Sequence, residues 1–204
     1  MNATPRGLAI GIALLLCASR VTATDLVLEV RDPKGSAVTD AVIYAQPLSG
    51  SSPVVQPKTR AIVDQVNKEF VPHVIIIQAG TEVFFPNSDN IRHSIYSFSS
   101  AKTFTTKLYS GREAAPVLFD KTGLVILGCN IHDTMVAWVF IVDTPWFAKS
   151  GSDGAGTIRG LPPGDYTITA AAPSLAGNAR SIAMTLRVEG TAPQRQSILL
   201  EAGS

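Results

Sequence analysis

From Asp25 onward the chain alternates apolar and polar residues, or gathers apolar ones into short blocks, and turn residues break the pattern every few positions. Period-two alternation places successive side chains on opposite faces of a strand, whereas a short continuous apolar run suits a strand buried on both faces. On this basis "DLVLEVRDPKGSAVTDAVIYAQPL" predicts strands over 26–30 and 41–45, split by the turn Asp32-Pro33-Lys34-Gly35. "SGSSPVVQPKT" is rich in serine and proline and predicts a linker. "HVIIIQAGTEVFFPNSDN" predicts a strand, an Ala79-Gly80 turn, a second strand and a polar loop. "RHSIYSF" alternates, so His93, Ile95 and Ser97 share one face while Ser94, Tyr96 and Phe98 share the other. "GLVILGC" and "MVAWVFIV" are near-continuous apolar runs that suit strands in the core of a sandwich. "SDGAGTIRGLPPGDYTITAAAP", "SIAMTLRVEG" and "RQSILLE" supply further turns and strands. One short helix is predicted in or near 61–67. The pattern therefore predicts an all-β fold, of the sandwich type.

Composition changes this picture mainly at the N-terminus. "MNATPRGLAIGIALLLCASRVTATDL" has Arg6, an apolar run of about 11 residues and the small-residue site Val21-Thr22-Ala23. That is the layout of a secretory signal peptide over residues 1–23, and the run is shorter than the roughly 20 residues of a spanning helix. The expectation is export to the periplasm, with no stable membrane insertion after cleavage. Of 17 basic residues, cleavage removes Arg6 and Arg20, leaving 15 against 16 acidic ones. A chain so close to neutral is not expected to have a strong general affinity for nucleic acid or anionic lipid. With 46% hydrophobic and 16% charged residues it has material for a substantial core.

Export also isolates a thiol. The chain has two cysteines, and Cys17 leaves with the signal peptide, so Cys129 remains alone. In an oxidising compartment cysteines are normally paired. A solitary one is an inert buried side chain, a reactive thiol, or a metal ligand protected by coordination. Its neighbours favour the last. In "LGCNIHDTMVAWVFI" the spacing Cys-x2-His-x2-Met puts Cys129, His132 and Met135 around one tight loop between two apolar strands. A loop cannot surround an ion alone, and His93, at the head of an alternating strand, is the natural fourth ligand. One thiolate, two imidazoles and a weakly held thioether make up the donor set of blue-copper electron-transfer sites. Thiolate donates strongly, imidazole suits both copper oxidation states, and thioether accepts Cu(I) without demanding the square geometry Cu(II) prefers. Zinc is the rival metal, but thioether serves it poorly and only Asp133 stands near enough in sequence to replace Met135. His73 is left over as a structural or surface residue, and Trp138, Phe140 and Tyr96 are expected in the core or in a surface patch. Neither a serine–histidine nor a paired-carboxylate constellation stands out, so hydrolase chemistry is not expected and the chain is read as a non-enzyme.

These residues carry a resemblance. "VPHVIIIQAGTEVFFPNSDNIRHSIYSF" followed by "FDKTGLVILGCNIHDTMVAWVFIVD" resembles a cupredoxin, with the spacing Cys-x2-His-x2-Met of amicyanin, whose ligand loop is shorter than plastocyanin's. Cupredoxins commonly place Asn after the first histidine and Pro between Cys and His; here these are Ser94 and Ile131. The flanking "VRDPKGSAVTDAVIYA" and "SDGAGTIRGLPPGDYTITA" resemble strands of a carboxypeptidase regulatory-like β-domain. As a whole the chain looks most like periplasmic methylamine utilization or plastocyanin-like proteins. The resemblance implies a Greek-key cupredoxin β-sandwich over 58–145 combined with a small β-sandwich domain, whose first strands are 24–50 and whose remainder is 146–204, with a linker at 51–57. Two domains in tandem are the alternative to this insertion. It further implies one mononuclear type 1 copper held by His93, Cys129, His132 and Met135, and a one-electron carrier whose partner is a c-type cytochrome or an amine dehydrogenase. The other functional reading is an accessory copper-binding or structural periplasmic protein without a carrier role.

Overall fold

The computed structural model describes residues 23–50, 52, 59–111, 115–173, 179–190 and 192–201. The expected signal peptide lies outside these residues except for Ala23, as does the expected linker except for Ser52. Every regular element among the described residues is a strand: β1 Thr24–Arg31, β2 Val42–Pro47, β3 Arg60–Ile62, β4 Asp64–Val66, β5 Glu69–Val71, β6 Val74–Gln78, β7 Thr81–Phe84, β8 Ile95–Ser99, β9 Lys102–Thr105, β10 Val117–Phe119, β11 Gly123–Cys129, β12 Val136–Val142, β13 Phe147–Lys149, β14 Ala155–Leu161, β15 Gly164–Pro173, β16 Ala179–Val188 and β17 Gln194–Leu199. The fold is all-β, as the alternation predicts.

The middle of the chain forms one core. A five-stranded sheet in the order β6-β12-β11-β8-β9 faces a three-stranded sheet β10-β7-β3, and Ile77, Val83, Phe85, Ile95, Phe119 and Val139 are buried in the cluster between them. The two ends of the chain form the other core. β1 lies between β14 and β17, pairing antiparallel with the first and parallel with the second. β2 lies between β13 and β15 in a second sheet that β16 completes. Leu26, Leu28 and Val30 of β1 and Ile43 of β2 pack there with Ile158, Ile168 and Ile198. Alternation along β1 is complete, apolar residues pointing inward and Asp25, Val27 and Glu29 half-exposed.

The apolar runs of β11 and β12 have a different cause. On one face Val125, Leu127, Ala137, Val139 and Ile141 enter the middle core. On the other, Trp138, Phe140 and Leu124 join Val74 and Ile76 against Val42 and Ala171 of the terminal sandwich. These strands are covered on both sides, which is why they do not alternate. Polar bonds cross the same seam: Gln46 Nε2 donates to Asp143 Oδ1 at 2.9 Å, and Lys149 Nζ to the Val74 carbonyl at 3.2 Å.

The helix expected near 61–67 is absent. That stretch is β3 and β4, followed by a two-residue reversal at Asn67 and Lys68, both with positive φ (54° and 64°), into β5. Val63 and Gln65 are fully buried while Ile62 is exposed, the period of a strand. β-Branched Ile62, Val63 and Val66 pack well on a pleated sheet and lose side-chain freedom in a helix. The turn conformation, with φ positive at both central residues, is the hairpin type usually carried by Asn-Gly, so Asn-Lys did not advertise it.

Candidate metal centre

Cys129 ends β11, where alternation turns its side chain inward with Leu127, and it is 2% exposed. β8 pairs with the end of β11, so Ile95 lies directly opposite Cys129. His93, two residues before Ile95 and therefore on the same face, reaches the sulfur from the neighbouring strand. Its backbone is tied to Tyr109 by reciprocal N–H to carbonyl bonds of 3.0 Å, and its ring is fully buried. After Cys129 the chain turns tightly, and the Met135 N–H donates to the His132 carbonyl at 3.0 Å. This turn brings His132 back over Cys129 and returns Met135 to the core cluster that contains Cys129, Ile95 and Phe85.

The result is a cluster of three donors. Ligand atoms of His93, Cys129 and His132 all lie within 4.8 Å of one another. His93 Nδ1 is 3.5 Å from Cys129 Sγ, and the two imidazole rings are 5.2 Å apart between centroids. His132 Nδ1 is buried and has no hydrogen-bond partner. A buried polar atom is ordinarily paired, because an unsatisfied one costs about 1–3 kcal/mol. An orphaned ring nitrogen beside a thiol and a second imidazole is what a soft or borderline cation would satisfy, so the residues present fit copper. Met135 is 1% exposed and belongs to the same core cluster as Cys129.

Other polar groups hold this geometry. Asp89 Oδ2 is 2.7 Å from His93 Nε2, and the same carboxylate accepts the N–H groups of Asn67 and Lys68 at 2.5 and 2.9 Å. Burial pushes the Asp89 carboxyl up, but the Lys68 amide, the His93 imidazole and the Asn67 amide outweigh it and hold the group below the usual carboxylate range. The Tyr109 hydroxyl donates to the Phe85 carbonyl at 2.6 Å and accepts from Gln65 Nε2 at 2.6 Å. Burial pushes this phenol up to about 12, against the opposing hydrogen bond from Gln65, and the nearby Asp64 carboxylate adds to the rise.

The two departures from the cupredoxin pattern each have a local counterpart. Ser94 is bonded twice by Asn130: the Asn130 side-chain amide donates to Ser94 Oγ at 2.9 Å and its backbone N–H to the Ser94 carbonyl at 3.0 Å. The ligand loop is thereby tied to the strand that carries His93. Ile131 contributes a backbone N–H, 3.5 Å from Cys129 Sγ. His73 lies elsewhere, its ring edge-on to Trp138 at 4.6 Å, and Asp133 is exposed. Asp89 and Asn130 are site residues that motif spacing did not single out. Asp89 had a signal, since it stands four residues before His93 in a polar loop; the two backbone amides that grip it had none.

No protein-family model matches the chain, and no curated protein matches it. Among solved structures it is similar to a Cu-containing nitrite reductase from Thermus scotoductus SA-01, at 25% identity over 47% of this chain and 25% of that one, TM-score 0.39. It is also similar to a novel purple cupredoxin from Nitrosopumilus maritimus, at 20% identity over 40% of this chain and 98% of that one, TM-score 0.36. A third similar structure is pseudoazurin from Methylobacterium extorquens AM1, at 22% identity over 42% of this chain and 76% of that one, TM-score 0.36. The chain thus spans a quarter of the reductase's length, three quarters of pseudoazurin's and nearly all of the purple cupredoxin's.

Proposed function

We propose that the chain is an exported cupredoxin that binds one type 1 copper through His93, Cys129, His132 and Met135 and carries single electrons without catalysing a reaction itself. The observation that carries this reading is the buried, unpartnered Nδ1 of His132 within a cluster whose other members are His93 and Cys129. Copper, when bound, supplies a one-electron couple between its two common oxidation states. The chain's own residues do the rest. The two strands and the tied loop fix three donors before any ion arrives, so little rearrangement accompanies a change of charge. Phe85, Ile95 and Met135 exclude water from the sulfur side.

His132 is only half-buried, and Ile131 beside it in the ligand loop is an exposed apolar residue. That edge is the face proposed to meet a redox partner, a c-type cytochrome or an amine dehydrogenase by resemblance to methylamine utilization proteins. A periplasmic location follows from the proposed signal peptide; among the described residues no helix is long and apolar enough to cross a membrane. Residues 24–50 and 146–204 are proposed as one discontinuous, carboxypeptidase regulatory-like β-domain into which the copper domain is inserted, a division supported by the pairing of β1 with β14 and β17 and of β2 with β13 and β15. The second reading is an accessory or structural copper-binding protein without a carrier role.

Copper(II) added to the purified protein should bind one-to-one and give an intense thiolate-to-metal absorption band. Cys129→Ala should lose the band entirely, while Met135→Ala should keep it and shift the reduction potential. A colourless wild-type complex would remove the type 1 assignment. Salt-dependent electron exchange with periplasmic cytochrome c separates a carrier from an accessory protein, which would show none.

A further inference from the structure

His93 presents Nδ1, not Nε2, to the sulfur, and a neutral imidazole carries its proton on only one of the two. Which nitrogen keeps the proton decides whether Nδ1 offers a lone pair to a cation or an N–H to the thiol. In this chain an element far from the ligand loop bears on that choice. Asn67 and Lys68 form the two-residue turn between β4 and β5, and both have left-handed φ values. Successive amides in such a turn point to one side and make a concavity for an anion. Here the occupant is the chain's own Asp89, whose Oδ1 accepts from Asn67 and whose Oδ2 accepts from Lys68 and faces His93 Nε2. The carboxylate is 10% exposed. Asp89 is held from its own loop as well: Asn87 Oδ1 accepts the Asp89 N–H at 3.0 Å, and Asn87 Nδ2 donates to the carbonyls of Ile91 and Tyr109 at 2.9 Å each. β4 is anchored beside the site by Gln65, fully buried, through Tyr109 and the Pro86 carbonyl.

We propose that the β4–β5 turn, acting through Asp89, is the device that sets the tautomer of His93: two backbone amides hold the carboxylate as an acceptor, the carboxylate keeps the imidazole proton on Nε2, and Nδ1 is left as a lone pair aimed at the site. Asp89 is therefore a positioning residue that also lends negative charge to the imidazole. The arrangement is a carboxylate–histidine pair of the kind that fixes ring orientation and raises ligand basicity at metal sites. The inference builds on the reading of His93 as a ligand, but it makes a statement about the metal-free protein that stands or falls separately. The amides, not the side chains, of Asn67 and Lys68 carry the effect, so glycine, which tolerates the same φ, should serve equally well at either position.

The test is ¹⁵N NMR of the metal-free full chain at fixed pH 8.5, where the shifts of the two ring nitrogens report the tautomer. The wild type is expected to show His93 with its proton on Nε2. Asp89→Ala should move His93 to a tautomer mixture or to Nδ1–H while leaving the shifts of His73 and His132 in place, and Asn67→Gly and Lys68→Gly should leave all three unchanged. If Asp89→Ala does not fold, Asp89→Asn, which keeps an acceptor oxygen but no charge, should show a partial shift. An unchanged His93 in the Asp89 variant, or Nδ1–H already in the wild type, overturns the proposal. Titration with Cu(II) alone adds a second readout: Asp89→Ala should weaken binding roughly 10- to 100-fold, and unaltered affinity counts against the clamp. A wild type that takes no copper ends the proposed function without touching the tautomer result.

Discussion

Ile131 stands between Cys129 and His132, where cupredoxins commonly carry proline, and it keeps a backbone N–H that proline lacks. That N–H lies 3.5 Å from the Cys129 sulfur. A donor to a thiolate draws charge from it and weakens its donation to a cation, which favours the reduced metal, and hydrogen bonding around the cysteine is one of the levers on such potentials. Ile131→Pro should therefore lower the reduction potential of the copper-loaded protein, by roughly 60 mV for each tenfold change in relative Cu(I) affinity; cyclic voltammetry would read it, and a rise would show that the N–H does not act on the sulfur. Tyr109 gives a prediction that needs no metal. Its phenol is pushed up to about 12 by burial, against roughly 10 in an unfolded chain. Between those values the unfolded chain has released a proton the fold retains, so stability falls as pH rises through that window. Urea midpoints measured from pH 9 to 12 should decline, and less steeply in Tyr109→Phe. Some decline should persist, since burial raises the Tyr166 phenol as well. An equal decline in the variant would place the titration elsewhere.

At the scale of elements, the site depends on how β8 meets β11. The two strands pair only at Gly128↔Tyr96 and Cys129↔Ile95, and a one-residue slip would turn His93 away from the sulfur. Gly128 makes this close approach possible. A β-carbon there would stand 2.6 Å from the Tyr96 ring. The atoms it would meet are the far end of the half-buried ring, so the ring must move for a β-carbon to fit. Gly128→Ala should cost about 1–3 kcal/mol, and most of that cost should vanish in a Tyr96→Ala background. Chemical denaturation of the two single variants and the double variant closes the cycle; additive losses would mean that the ring is not what the glycine accommodates. The β4–β5 hairpin shows the limit of local pattern. The alternating burial of Val63 and Gln65 could not be read from the sequence, because Gln65 is polar and a buried glutamine reads as a surface residue until Tyr109 and Pro86 are beside it.

For the whole molecule, the order of strands predicts what can be cut. β1 and β2 are interior strands of the two terminal sheets, and with Ala41 just before β2 they supply Leu26, Leu28, Val30, Ala41, Ile43 and Ala45, six of the fifteen buried core residues described there. Residues 146–204 expressed alone should therefore give poorly dispersed amide spectra and no cooperative thermal transition, whereas 24–50 joined to 146–204 by a short linker should give both. A cooperative fold from 146–204 alone would contradict a discontinuous domain. The apolar outer face of β6, β12 and β11 is the complementary liability, since Trp138, Phe140 and Leu124 lie against Val42 and Ala171.

Near neighbours along the chain are enough to fix part of this fold. Alternation along β1, the double-sided apolar runs of β11 and β12, and the loop joining Cys129, His132 and Met135 are all set within a dozen residues, where the period of a strand and the length of a turn leave few choices. Tertiary structure decided everything that required a partner from far away. His93 reaches Cys129 across 36 residues because of strand register, Asp89 is gripped by a turn 21 and 22 residues earlier, and β17 lies parallel to β1 from the opposite end of the chain. Such meetings are chosen by the burial of apolar faces, which tells a strand that it must be covered but not by what, and by backbone amides, which every residue carries and no sequence pattern marks.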